Sequence, residues 1–599
     1  MDRIDDISEQ LHNTWRIQYA RQLIENSQAA WHKGHGYPPS AMKAAAPAEK
    51  VRRPIKIGIL GAGAAGMYAA MIIDSLKSPD FTYEILEANP ERVGGRLYTH
   101  HFSDGPNDYF DVGAMRYPYI PFMYHTFYLL EHDLGMTEAE DPMNPREGEL
   151  IKYFMSIDKN LNRYNGKTLT NEQVKNGGPD PFDTGLLDET VEQLLNNKFS
   201  GMKEQLANNF QDEWNKLVGL YDALSMRTFL ATSSPAYSQK LITTIETFDS
   251  GTTFYDSAML EMLMESMDFE WPVPPGEEVK WYCVQGGSGV IAERMKAKVK
   301  NIEMGKEVTK ISANLVSGHH EWESVDVEVN HDPTSKRRYD HVISTMPFGC
   351  FRNIDTSECH LTWDLEVAIR CLKYSNSTKV GMKFKSRWWE KHGQRGGVSK
   401  TDGPTRCIVY PSYGIDGEDA TMIVSYTWAQ DATRLGSLCR GKGTPAEETL
   451  VDILLDDLAV IHGIKIEDLR AEFVDYFPWN WDDNPYSAGA FALFGPGQFS
   501  TLYPEVTQPM GGRLHFAGEA TSVHHAWVVG ALNSALRTII EILLVEDRWE
   551  EFKPLLKERI KYDDEIDIRN IDILEEQIRI GRQKGKITQK RIDMLNVTS

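Results

Sequence analysis

Residues 55–90 read IKIGILGAGAAGMYAAMIIDSLKSPDFTYEILEANP. The alternating branched residues of IKIGIL predict a strand, and the run from Met67 to Leu76 predicts a helix. Between them Gly61, Gly63 and Gly66 fit GxGxxG. The next strand, YEILEANP, ends in Glu87, 21 residues beyond Gly66. Each part has a mechanical reason: the first glycine makes the turn, the second lets the backbone approach a pyrophosphate, and the third lets helix pack on strand. The acid then reaches a ribose hydroxyl while phosphate charge sits at the positive helix N-terminus. GxGxxG alone is a common glycine-rich turn. With strand, helix and acid in place it reads as a dinucleotide site.

Working outward, ANPERVGGRLYTH follows Glu87 and sets Arg92, Gly94, Gly95 and Arg96 near the phosphates. Far downstream, LHFAGEATSVHHAWVVGALNSALR (514–537) supplies a strand, a turn at Gly518 and Glu519, and another helix. A nicotinamide enzyme needs neither element. Together with GGSGVIAERM, GKEVTKI and VISTMP in the same order, these stretches resemble the flavin amine oxidase superfamily from about Lys56 to Arg537. Within it DVGAMRYP (111–118), STKVGMKF (377–384) and HHAW (524–527) are most similar to the L-amino-acid oxidases of fungal and bacterial type.

That resemblance implies an α/β fold: a discontinuous Rossmann-like FAD-binding domain of the GR2 type, a mixed-sheet substrate domain and a helical insertion. It implies domain parts at 51–110, 269–352 and 509–545 (FAD-binding), 111–184 and 353–508 (substrate-binding) and 185–268 (helical), while spacing and composition set apart 1–50 (helix and linker) and 546–599 (charged tail). The implied activity is oxidative deamination of L-amino acids by dioxygen to 2-oxo acids, ammonia and hydrogen peroxide. Rivals are an amino-acid monooxygenase, an amine or polyamine oxidase, and a flavin-containing scaffold with little turnover.

FAD contacts carry over to Gly61, Gly63, Ala64, Ala65, Gly66, Glu87, Ala88, Gly94, Gly95, Arg96, Gly113, Ala114, Met115, Arg116, Val308, Gly518, Glu519, Trp527 and Val528. Glu87 is expected on the adenosine ribose, Arg96 on the pyrophosphate, Val308 on the adenine through its backbone, and Glu519 on the ribityl chain. No cysteine follows Cys439, whereas covalently flavinylated relatives use one near the FAGE-like motif, so FAD is expected to be noncovalent. For substrate, Arg116 is implied as the carboxylate clamp, Tyr410 as a second hydroxyl on that carboxylate, Trp527 as an aromatic wall and the Ala526 carbonyl as an ammonium acceptor. Lys379 is implied to hold a water at the flavin. A guanidinium suits a carboxylate because two parallel N–H bonds match its oxygens. From the residues alone, Arg116 also reads as an internal ion pair with Asp108 or Asp111, Tyr410 as a strand tyrosine, Trp527 as core filling and Lys379 as surface charge.

The rest of the chain sets limits. Its 599 residues carry 64 basic and 87 acidic side chains, a formal charge of −23, which disfavours a nucleic-acid partner. Ile4, Ile7, Leu11 and Trp15 have helical spacing, a Pro/Gly/Ala-rich linker follows, and the body is expected to start near Val51. Helical periodicity covers about 185–267. Ile571, Leu574 and Ile578 predict an amphipathic tail helix, read first as a solvated terminal helix with one docked face and alternatively as one that wraps the body or pairs with another subunit. No secretory signal and no run approaching ~18 apolar residues is evident, so no membrane association is expected and an intracellular place is favoured. Six sparse cysteines suggest neither disulfides nor zinc, and the adjacent His524 and His525 are not read as metal ligands. A homo-oligomer, dimer or tetramer, is expected.

Overall fold

The structure is a computed structural model and describes residues 53–176, 191–208, 216–217, 219–269, 278–316, 321–563, 566 and 571–597. The readings of an N-terminal helix, a linker and a boundary at Val51 lie outside these residues.

The opening stretch folds as its pattern predicts. Strand β1 (Ile55–Leu60) runs into helix α1 (Ala64–Ser75) and on to β2 (Phe81–Leu86). Three distant pieces complete the sheet: β3 (Ile302–Glu303), β4 (His341–Ser344) and β5 (Leu514–Phe516). The order is β3-β2-β1-β4-β5 with every pair parallel, and Ile55 stands opposite Phe81 and Ile57 opposite His341. Side chains of β1 alternate across it. Ile55, Ile57 and Ile59 pack with α1 and α2 (Val528–Val545), while Leu60 joins Leu86 and Val342 on the other face. An antiparallel meander (Val308–Leu315, Trp322–Val329, Asp332–Tyr339) covers that second face. A side chain at Gly58 would collide with the Tyr339 ring, so the meander and sheet meet there only because the residue is glycine.

Helix α2 corrects one expectation. It is 18 residues long with mean hydropathy 1.8, apolar and long enough by those criteria to cross a membrane, and 83% of it is buried inside the protein. Asn533, Ser534, Arg537, Thr538 and Glu541 interrupt its apolar run yet are themselves buried. Arg537 donates to the Phe516 and Thr521 carbonyls, and Glu541 meets His515 at 2.7 Å.

A second, seven-stranded mixed sheet is ordered Phe473–Asn480, Ser377–Phe384, Thr421–Trp428, Cys407–Val409, Val398–Thr401, Leu161–Tyr164 and Lys167–Thr170. The described part of the predicted helical stretch holds helices Val191–Asn208, Met226–Thr232, Gln239–Phe248 and Met259–Phe269. At the C-terminus, helices Trp549–Lys561 and Asp572–Val597 lie on the body. Trp549, Phe552, Leu556, Ile560 and Ile578 are buried, and Lys584 pairs with Glu505 at 2.5 Å.

Candidate functional site

Helix α1 begins at Gly63 with no side-chain cap and no acid in its first turn, so its N-terminal N–H groups face a cavity of about 630 Å³. Gly61, Gly63, Ala64 and Ala65 line it there, with Gly94, Gly95 and Arg96 opposite. An added Cβ at Gly63 would meet nothing within 4 Å, because it would point into this space. Gly66 lies below the lining, its Cα against the Gly61 carbonyl, where no side chain fits. These are the features a pyrophosphate needs: open backbone, positive helix end and a nearby guanidinium.

Glu87, Ala88 and Val308 line one end. The Glu87 carboxylate accepts N–H bonds from Ala62 at 2.7 Å and Asn89 at 2.8 Å. Burial nevertheless raises its pKa above the usual carboxylate value. Midway, Arg96 donates to Glu519 at 2.7 Å and to the Ala490 carbonyl at 3.1 Å. Burial opposes the Glu519 charge, but Arg96 and His525 prevail and hold its pKa low. Gly518, Glu519, Ala526, Trp527 and Val528 form the far wall with Gly113, Ala114 and Lys379. Ala526 adopts φ +65, a left-handed conformation that suits glycine better.

Lys379 projects from strand Ser377–Phe384, whose alternate residues Val380, Met382 and Phe384 face a separate core. Its Nζ donates to the carbonyls of Gly113 at 2.6 Å and Asp111 at 3.1 Å, and lies 4.5 Å over the Tyr426 ring. Burial drives the ammonium pKa well below the usual lysine range; Asp111 opposes this and Arg116 adds to it.

Met115 and Arg116 stand just behind the lining. Met115 Sδ is 3.6 Å from Lys379 Nζ. The Arg116 guanidinium lies 5.4 Å over Phe269 and 5.9 Å over Trp281, with Nη1 3.5 Å from Met155 Sδ and the Tyr153 hydroxyl beside it. Among the described residues it has no carboxylate ion pair. The two acids that could have claimed it are engaged elsewhere: Asp108 with Lys383 and Thr421, Asp111 with Thr99 and the Ser288 N–H. Trp527 packs on the same rings, 5.6 Å from Phe269 and 6.3 Å from Trp281, and its indole N–H donates to buried Asp268 at 3.0 Å.

Tyr410 is a correction. Ile408 and Tyr410 point to one side of their strand and Val409 to the other. The tyrosine therefore lies in the core behind the sheet, bonded to Ser399 at 3.0 Å and His462 at 2.7 Å, and cannot reach the cavity. The tyrosine that lines the cavity beside Lys379 is Tyr426, its partner in register. The sequence reading missed Tyr426, and also Tyr153, Phe269, Trp281 and Asp268. Only the pairing of TMIVSYTW with STKVGMKF could have pointed to Tyr426. His524 and His525 are buried outside the lining, His525 against Glu261 at 3.0 Å.

A parallel sheet with an open glycine-rich helix start, an acid ending the next strand and a second, mixed-sheet wall defines a Rossmann-like dinucleotide-binding oxidoreductase. Residues 64–542 match the flavin containing amine oxidoreductase family, and the chain belongs to it. It is a flavoprotein enzyme. A Dictyostelium discoideum protein whose name calls it a bifunctional amine oxidase is 40% identical over 83% of this chain; the chain spans about half of that relative, 47% of its length. L-amino-acid oxidase 4 of Hebeloma cylindrosporum is 35% identical over 82% of each chain. The fold is shared with cyclohexylamine oxidase from Brevibacterium oxydans IH-35A, at TM-score 0.61 and 17% identity over 83% of this chain and 100% of that one.

Proposed function

We propose that the chain is an FAD-dependent L-amino-acid oxidase that converts L-amino acids, dioxygen and water to 2-oxo acids, ammonia and hydrogen peroxide. The observation that carries this reading is Arg116, a guanidinium without a carboxylate partner among the described residues, resting on aromatic faces beside Lys379. Such a group awaits an anion. The 35% identity to a named L-amino-acid oxidase over most of both chains supports it.

Residues of 51–110, 269–352 and 509–545 supply all five parallel strands and would hold the FAD. Gly63 and the α1 N-terminus would take the pyrophosphate with Arg96, Glu87 the adenosine ribose, and Glu519 the ribityl chain. Noncovalent attachment is supported by Cys350, the cysteine in the cavity lining, whose thiol pKa burial pushes up to about 11, leaving little thiolate. A flavin held there would supply the hydride acceptor for the substrate α-hydrogen and the two-electron route to dioxygen. Arg116 orients the substrate carboxylate, Trp527 and Phe269 wall the amino-acid side, and the Ala526 carbonyl receives the ammonium. Lys379, held toward its neutral form, retains a water at the cavity's inner end. Positioning carries the rate, with no strong base required.

The experiment is a peroxide and ammonia assay on the flavin-loaded protein with the common amino acids in both hands and their decarboxylated amines. Peroxide and ammonia in equal amounts from L-amino acids alone are expected. Preference for amines would overturn the reading in favour of an amine oxidase, and carbon dioxide with an amide would favour a monooxygenase.

A further inference from the structure

Two cations of the site lie against thioethers: Arg116 Nη1 against Met155 Sδ at 3.5 Å, and Lys379 Nζ against Met115 Sδ at 3.6 Å. Met115 is buried, 8% exposed, whereas Met155 is only half-buried. A thioether is a weak acceptor, so it leaves Arg116 available to an incoming anion. It is also the group most easily changed by peroxide.

We propose that Met155 is a peroxide-modification site whose sulfoxide oxygen captures the Arg116 N–H and shuts out the substrate carboxylate, so that accumulating product closes the substrate site. This rests on the oxidase reading for its source of peroxide. The step balances without another reagent. The sulfur lone pair attacks one peroxide oxygen, an S–O bond forms and the O–O bond breaks. Sulfur gives up two electrons, and the second oxygen leaves as water after taking the proton of the transferred one. The product is a strong acceptor where a weak one stood, fixed beside a guanidinium that has no competing carboxylate. A bidentate clamp with one arm occupied loses its match to a carboxylate. Lys379 and Trp527 are untouched, so the loss falls on substrate binding.

Met143 serves as an internal control. It is 73% exposed, on the loop at Asp141–Asn144, and open to any dissolved oxidant, but it touches neither cation. Accessibility alone therefore makes Met143 oxidise without consequence.

The flavin-loaded 599-residue chain is treated with millimolar hydrogen peroxide in the absence of substrate. Peroxide is then removed, oxygen addition at Met155, Met143 and Met115 is mapped by peptide mass spectrometry, and KM and kcat are measured. Met155→Leu, which keeps the volume, and Met143→Leu run in parallel, each compared with its own untreated sample. Oxygen added at Met155 is expected to rise in step with KM, by at least ~10-fold, while kcat stays within about twofold. Treated Met155→Leu should keep its KM, Met143→Leu should behave as the parent, and methionine sulfoxide reductase should restore the parent. Oxidised Met155 with unchanged KM, a KM rise without oxygen at Met155, or an equal rise in Met155→Leu would each overturn the proposal. Because peroxide is added from outside, these outcomes are separate from whether the untreated chain releases peroxide, which tests the oxidase reading itself.

Discussion

Arg116→Lys keeps the charge but loses the planar fork and its stacking on Phe269 and Trp281. A fall of at least ~10-fold in kcat/KM for L-amino acids, about 1.4 kcal/mol, is expected with flavin content unchanged; steady-state kinetics beside flavin absorbance checks it. Lys379 makes a second case. Its pKa is lowered on folding, so between that lowered value and the ordinary lysine value of about 10.4 the unfolded chain binds the extra proton, and stability rises with pH. Lys379→Met should therefore stabilise the fold more near pH ~7 than near pH ~10, read from denaturant melts at both. Tyr410→Phe should cost about 1 kcal/mol of stability, through its bonds to Ser399 and His462, and leave kcat/KM within about twofold. Arg116 was legible because its motif is contiguous. Tyr426 was not, because its place beside Lys379 comes from strand pairing and a register shift at Val380 and Gly381.

At the level of elements, the three glycines of the first turn separate by what stands over them. At Gly63 a methyl points into open cavity, so Gly63→Ala should fold with a normal melting temperature but lose bound flavin. At Gly66 the same methyl meets the Gly61 carbonyl, so Gly66→Ala should lower thermal stability whether or not cofactor is present. Thermal melts of both variants with and without added FAD distinguish the outcomes. The strand-turn-helix and its acid were readable because GxGxxG states a packing requirement over adjacent residues. The second sheet was less so: which face of Ser377–Phe384 or Cys407–Val409 meets the cavity depends on elements far away in the chain, and alternation alone gives two equivalent answers.

Across the whole molecule, the tail is part of the core. Trp549, Phe552, Leu556 and Ile560 bury against the sheet's helix layer, and Arg559 bonds the Tyr68 hydroxyl at 2.9 Å and pairs with Asp133 at 2.5 Å. Deleting residues 546–599 should expose that apolar face, and soluble yield should fall sharply relative to the full chain. Composition had left open whether this tail wraps the body or meets a neighbour; buried Ile578 and the Lys584 pair with Glu505 place it on its own body. The parallel sheet carries a last implication, for biosynthesis. β1 leaves the ribosome long before its sheet-mates β4 and β5, which lie at His341–Ser344 and Leu514–Phe516. Nascent β1 and α1 must wait, half-shielded, until Leu514–Phe516 has been made, so a growing polypeptide that stalls before Leu514 has no fifth strand and no wall on which to close around its coenzyme.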